Sequence, residues 1–247
     1  MSGSPINPKG TVPTHQPVLP TNVTSNSVFL RPLLMSELNS TLKNRYVAVA
    51  GNIGAGKSSL TGLLGKKFHW ETFFESVDDN PYLSDFYEDM RRWSFNLQIY
   101  FLSSRFRHQK EMLESSKSLI QDRTIYEDVE IFAKNLHRMN LMSDRDFKNY
   151  SALFHQMSYY LRPPDLLIYL RADVPTLVRQ IQNRGRDYEN TIRIEYLESL
   201  NTLYEDWISR YPHEKLIIDT DHLDFVNVEE DLGTVIRLVE QRLFGLF

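Results

Sequence analysis

The chain is predicted to be an α/β protein, a three-layer sandwich on a five-stranded parallel sheet, and three observations carry that prediction. From Arg45 onward, short apolar runs alternate with helix-length stretches. One of these runs passes through a glycine-rich turn straight into a helical pattern. No segment repeats another, which argues against stacked-repeat architectures. Short apolar strands separated by helices suit a sheet covered on both faces, which is where parallel sheets are found.

The first strand is expected at 46–50, and the residues after it read Gly51-Asn52-Ile53-Gly54-Ala55-Gly56-Lys57-Ser58-Ser59. Gly51, Gly56, Lys57 and Ser58 fit G-x-x-x-x-G-K-[ST], and Leu60, Leu63 and Leu64 open the helical pattern behind them. Between a strand and a helix, such glycines let backbone N–H groups converge on phosphate oxygens. The lysine adds a point charge near the β- and γ-phosphates, and the serine hydroxyl can ligate Mg²⁺. An incidental glycine-rich turn would leave three glycines and the lysine unexplained.

Further strands are expected at 72–74, 119–121, 166–170 and 216–218. Helices are expected at 58–67, 81–116, 125–138, 144–161, 174–184, 191–210 and 228–243. Pro163-Pro164 ends one helix just before the fourth strand. Ligands of open α/β sheets gather at the carboxyl ends of strands, so polar residues at those ends are the candidates for chemistry.

Glu75 follows the second strand on that side and suits a general base toward a hydroxyl; an ordinary loop glutamate is the competing reading. Asp122-Arg123 follows the third strand, where an acid is a Mg²⁺ candidate and the arginine a partner for Glu75 or a phosphate; a surface ion pair is the alternative. Trp93, Leu97, Phe101 and Ser104 share a helical face that reads mainly as core. Gln98 and Arg105 lie seven residues apart, nearly on one face. A glutamine amide matches a donor–acceptor pair on a nucleobase edge. Arg184-Gly185-Arg186 suits a lid closing on phosphates, against the plainer reading of a basic helix end.

Composition bounds the rest. The chain has 247 residues with formal net charge −4, which fits one large domain, or a domain and a tail, and gives no sign of a nucleic-acid-binding surface. It contains no cysteine, which excludes a disulfide framework and thiolate metal sites and fits a cytoplasmic location. No apolar run approaches the ~20 residues that span a bilayer. Residues 1–44 hold six prolines, with many Ser, Thr and Asn, and are expected to be a disordered extension to a domain over 45–247. Organelle targeting by that segment is the alternative, weakened by its having only Lys9, Arg31 and Lys43 as cations.

Taken together, Gly51–Ser58, Glu75, Arg92-Trp93-Ser94-Phe95 with Gln98 and Arg105, Asp122-Arg123, Asp128 and Arg184-Gly185-Arg186 resemble the deoxynucleoside kinases. The likeness runs from about Tyr46 to the C-terminus. Asp79-Asn80-Pro81-Tyr82-Leu83 and Arg184-Gly185-Arg186-Asp187-Tyr188-Glu189 look most like deoxyadenosine kinases of bacterial type. The resemblance implies a P-loop NTPase fold with an arginine-bearing lid. It also implies ATP and Mg²⁺ as cofactors, a small deoxynucleoside as acceptor, no nucleic-acid polymer or membrane as partner, and a homodimer through long helices. By the same resemblance Glu75 is the base on the 5′-hydroxyl, Arg123 assists it, and Ser58 and Asp122 hold Mg²⁺. Gln98 reads the base edge with Arg105 and Asp128 beside it, and Phe132 stacks on the base. Tyr87 and Glu189 hold the sugar 3′-hydroxyl, Arg184 and Arg186 meet the donor phosphates, and Phe225 packs near the donor base. One position departs: Gln180 stands where several relatives carry an arginine, with Arg179 adjacent.

The expected reaction is phosphoryl transfer from ATP to a deoxynucleoside, preferably deoxyadenosine. A thymidylate-type kinase would need an extra cation for its acceptor's phosphate, where this chain has Glu75. A GTPase switch would need Asn-Lys-x-Asp, which is absent. A P-loop nucleotide-binding regulator without catalysis would be expected to lack Lys57, Glu75 or Asp122.

Overall fold

The computed structural model describes residues 44–75, 80–186, 189 and 192–245. The expected disordered extension, apart from Asn44, lies outside the described residues, as do Asp79, Asp187 and Tyr188.

Five parallel strands form one sheet: β1 (Tyr46–Gly51), β2 (Glu71–Phe73), β3 (Leu119–Asp122), β4 (Leu166–Arg171) and β5 (Lys215–Asp219). Their order is β2-β3-β1-β4-β5. β1 is therefore central, and Val49 pairs with Asp122 on one side and Ile168 on the other. That register brings the end of β3 beside the turn that leaves β1.

The helices are α1 (Lys57–Phe68), α2 (Leu83–Glu88), α3 (Met90–Glu114), α4 (Ile125–Glu127), a π-helical segment (Asp128–Ala133), α5 (Lys134–Arg138), α6 (Asp144–Ser158), α7 (Val174–Arg184), α8 (Ile194–Arg210) and α9 (Glu229–Phe244). Side chains alternate across a strand, and β1 divides its own accordingly. Val47 and Val49 pack with Leu60 and Leu64 of α1, Leu177 of α7 and Val235 and Val239 of α9. Tyr46, Ala48 and Ala50 join Leu97 of α3, Tyr150 of α6 and Tyr204 of α8 in a second core. A helical layer on each face of the sheet makes the three-layer sandwich, as predicted.

Two expected helices are corrected. The stretch 81–116 is two helices, because Asp89 leaves helical geometry (φ −139°, ψ 81°) and its side chain caps α3 by accepting from the Arg92 N–H at 3.0 Å. The stretch 125–138 is interrupted by the π-helical segment, which changes the register of Asp128 and Phe132. Elsewhere the differences are at the ends. β2 finishes at Phe73, one residue early, so Glu75 sits in the loop beyond it; α8 begins at Ile194 and α6 stops at Ser158. Among the described residues no helix is long and apolar enough to cross a membrane.

Candidate active site

The turn after β1 is held open by its glycines. Gly54 has φ +87°, and a Cβ there would lie 2.8 Å from the Leu177 carbonyl oxygen. Gly56 has φ +89°, and a Cβ there would lie 3.0 Å from the Phe225 ring. Only glycine meets both demands without strain. Asn52 anchors the loop: its amide donates to the Leu197 carbonyl (3.0 Å) and to Asn201 Oδ1 (2.6 Å) on α8, and its own Oδ1 accepts from the Ile53 N–H (2.7 Å). Ala55 N–H donates to the Asn52 carbonyl at 3.2 Å, closing the curl. Lys57 and Ser58 then open α1, whose first-turn N–H groups have no intrahelical partners and face the carboxyl end of the sheet.

A cavity of about 260 Å³ lies above that end. Its wall includes Ile53, Gly54, Lys57 and Ser58 from the loop and α1, Glu75 beyond β2, and Asp122 and Arg123 at β3. Tyr87 of α2, Gln98 and Arg105 of α3, Asp128 and Phe132 of the π-helical segment, and Arg184, Arg186 and Glu189 complete it. Fifteen expected site residues thus meet around one space, Ile53 and Gly54 among them, while Gly51, Asn52, Ala55 and Gly56 shape the loop behind its wall. Ser59 is exposed on α1 outside the wall, and Phe225 is buried beneath the loop against Gly56 rather than facing the cavity.

The charges are arranged in a chain. Arg105 Nε sits 2.8 Å from both oxygens of Asp128, and its Nη2 donates to Glu75 Oε1. Arg123 Nε lies 3.5 Å from Glu75 Oε2, and its guanidinium covers the Phe132 ring at 4.3 Å. Burial works against ionising Glu75, but Arg105, Arg123 and Lys57 outweigh it and hold the carboxyl below its ordinary value. Glu75 is therefore a carboxylate at neutral pH, able to accept a proton. Burial, then repulsion from Arg123, lowers Lys57 to about 7 against the pull of Asp122, Glu127 and Glu75. Lys57 Nζ donates to the Asn52 carbonyl at 2.8 Å.

Asp122 Oδ2 accepts from Ser58 Oγ at 2.5 Å, while its Oδ1 is buried with no hydrogen-bond partner. An orphaned carboxylate oxygen beside a hydroxyl suits a hard divalent cation that takes its other ligands from phosphates and water. No cluster of three or more His, Cys, Asp or Glu able to hold a metal occurs among the described residues, so a metal caged wholly by such side chains is not built here. Gln98 is 3% exposed, and its Oε1 has no hydrogen-bond partner, which leaves an acceptor at the cavity wall.

Two participants were not foreseen. Glu127 is fully buried and accepts from Tyr204 Oη at 2.7 Å, and Tyr204 in turn accepts from Arg123 Nη1 at 2.9 Å. The Thr124-x-x-Glu127 spacing forms a capping box in the structure, a pattern by which sequence reasoning could have found Glu127. Tyr204 carried no signal beyond an aromatic on the core face of a helix. Arg105 also reaches Glu75, a link beyond the pairing with Asp128 that the resemblance implies.

A model of the deoxynucleoside kinase family matches residues 47–243. The deoxyadenosine/deoxycytidine kinase of Bacillus subtilis (strain 168) is 43% identical over 199 residues, covering 78% of this chain and 91% of that one. The deoxyadenosine kinase of Dictyostelium discoideum is 39% identical over 189 residues, covering 76% and 77%. A solved structure of the M. mycoides deoxyadenosine kinase, with dCMP and dCDP bound, superposes with TM-score 0.72 at 31% identity, covering 79% of this chain and 99% of that one. With this agreement over the whole described domain, and a phosphate loop, carboxylate and paired arginines around one cavity, the chain belongs to the deoxynucleoside kinase family of ATP-dependent phosphotransferases.

Proposed function

We propose that this enzyme moves the γ-phosphoryl of ATP to the 5′-hydroxyl of a deoxynucleoside, with deoxyadenosine the preferred acceptor. The observation that carries this reading is Glu75, an ionised carboxylate on the cavity wall within reach of both the loop lysine and two arginines. Glu75 takes the hydroxyl proton as the 5′ oxygen bonds to phosphorus, and the bond from phosphorus to the β,γ-bridging oxygen breaks, leaving ADP. Lys57 and the lid residues Arg184 and Arg186 supply positive charge as negative density moves toward the leaving group. Ser58 and Asp122 would hold Mg²⁺, which would supply positive charge against the donor phosphates. The orphaned Asp122 Oδ1 supports that placement.

Tyr87 and Glu189 on the cavity wall support recognition of the 3′-hydroxyl, and their bulk supports a preference for the 2′-deoxy sugar. The open Gln98 Oε1 supports an amine-bearing base, because an exocyclic amine would satisfy it, whereas thymine presents a carbonyl in that place and fits only with the amide turned over. The placing of adenine first rests on the relatives' names, which include deoxyadenosine and deoxycytidine kinases. Phe132 is read as the surface that the base stacks on, and Phe225 as the apolar support under the donor side of the loop.

The domain is read as 45–247, with a homodimer through its long helices. Leu153 on α6 and Tyr159 and Tyr160 just beyond it are exposed by 44%, 65% and 67%, which supports a further buried contact there; sedimentation would test the assembly. A cytoplasmic place is read from the absence of cysteine and is tested by fractionation. The substrate reading is tested by incubating the protein with ATP and each of the four deoxynucleosides, and with thymidylate. Phosphorylation of deoxyadenosine above the others supports it. Phosphorylation of thymidylate alone would replace it with a nucleotide kinase.

A further inference from the structure

Glu127 uses its two oxygens for different tasks. Oε2 accepts from the Thr124 N–H (2.7 Å) and Thr124 Oγ1 (3.1 Å), which completes the capping box of α4. A capping glutamate needs nothing more than this, and glutamate is seldom fully buried unless paired. Here the side chain is fully buried, and Oε1 leaves the cap. It accepts from Tyr204 Oη at 2.7 Å and from the Gly51 N–H at 3.4 Å, and lies 3.8 Å from Arg123 Nη1. Gly51 is the residue at which β1 becomes the phosphate loop. One carboxylate oxygen therefore touches both the element that receives the donor and the arginine beside Glu75.

Tyr204 makes the arrangement directional. Its hydroxyl donates to Glu127 and accepts from Arg123 Nη1 at 2.9 Å, and its ring is buried on α8, stacked on Tyr169 with centroids 5.7 Å apart. Arg123 needs such holding. Its backbone has φ +66°, a conformation that side chains other than glycine adopt at a cost, and its N–H is tied to the Val49 carbonyl at 2.9 Å. The guanidinium is then fixed on three sides: Tyr204 and Glu127 at Nη1, the Phe132 ring at its face, and Glu75 at Nε.

We propose that Glu127 and Tyr204 are positioning residues for phosphoryl transfer, holding the Arg123 guanidinium in register with Glu75 and with the mouth of the phosphate loop. The inference rests on the reading of Glu75 and Arg123 as catalytic groups. Removing the Tyr204 hydroxyl leaves the cap intact and frees one end of the guanidinium. The loss then appears in turnover rather than in substrate binding, because neither Tyr204 nor Glu127 lines the cavity.

The test is a cycle of Tyr204→Phe and Arg123→Lys in the full chain, with Glu127→Gln as a second route into the same network. Tyr204→Phe is expected to lower kcat by about tenfold or more while both KM values stay within about threefold. In the Arg123→Lys background the same change should cost less than about threefold further, since residues acting through one another are not additive. Glu127→Gln should lower kcat at least as far as Tyr204→Phe. Wild-type kcat in Tyr204→Phe, or fully multiplicative losses in the double variant, overturns the inference while leaving the kinase reading intact. Wild-type kcat in Arg123→Lys overturns the catalytic reading itself.

Discussion

Arg184 grips Glu189 with both ends of its guanidinium, Nη2 to Oε1 at 2.6 Å and Nε to Oε2 at 3.1 Å. Arg186 stands 3.7 Å from the same carboxylate, and Glu189 itself is 5% exposed. Groups proposed for the donor phosphates and for the acceptor sugar thus meet in one ion pair. Phosphates that draw the arginines away leave Glu189 available to a 3′-hydroxyl, so binding of donor and acceptor is expected to be linked, and linkage is reciprocal. In the wild type, a non-hydrolysable ATP analogue should change the Kd for the nucleoside. In Glu189→Gln the nucleoside should bind about tenfold more weakly, a loss of ~1.4 kcal/mol, and the analogue's effect should shrink toward none. An unchanged effect in the variant would show that the ion pair carries no coupling.

Lys57 sets a pH limit. Burial and Arg123 lower it to about 7, so in the free enzyme the ammonium loses its proton as pH rises through neutrality. Deprotonation removes positive charge from the phosphate site, so affinity for ATP falls as pH rises. Bound phosphates favour the ammonium and raise its pKa. The expected profile of kcat/KM for ATP declines above about pH 7, and the same limb in kcat lies at higher pH, because the two quantities report free enzyme and complex. In Lys57→Arg the limb should vanish, since a guanidinium stays charged. A wild-type profile flat from pH 6 to 9 would contradict this account.

Arg105 serves two carboxylates, so its removal should cost stability. Arg105→Met leaves Asp128 and Glu75 short of a partner in a buried site, and breaking such a pair costs ~3–5 kcal/mol. Adding Asp128→Ala should return part of that loss, as seen in chemical denaturation. The double variant should also use thymidine better relative to deoxyadenosine, because a rigid polar wall beside the proposed base site has gone. Its absolute rate should fall as well, since Glu75 has lost Arg105. Unchanged relative use of thymidine would make the pair a structural support alone.

The sheet and the phosphate loop were readable because their signals are local. Apolar runs mark strands, and the glycine pattern of Gly51, Gly54 and Gly56 answers a backbone demand that φ values of +152°, +87° and +89° make plain. Single residues at strand ends, such as Asp122 and Arg123, followed from the position of ligands in such sheets. What escaped depends on three-dimensional register. The π-helical segment changes which side chains face the cavity without a change in composition, so Asp128 and Phe132 were placed through resemblance and not through periodicity. The break at Asp89 was hidden because the residues on either side continue a helical pattern, and the capping bond to Arg92 decides it. Tyr204 lies 81 residues from its partner Arg123, a separation across which no sequence pattern specifies contact.

Glu75 is the group proposed to accept the 5′-hydroxyl proton, and a single-turnover comparison of wild type with Glu75→Gln tests that central role most directly. The amide keeps the shape of the side chain and a hydrogen-bond acceptor for Arg105 but has no basicity. With saturating ATP and deoxyadenosine, the rate of the chemical step should fall by ~10²–10⁴ while the nucleoside Kd changes little. A fall of less than about tenfold, with chemistry still the step observed, would contradict the assignment of Glu75 as the base.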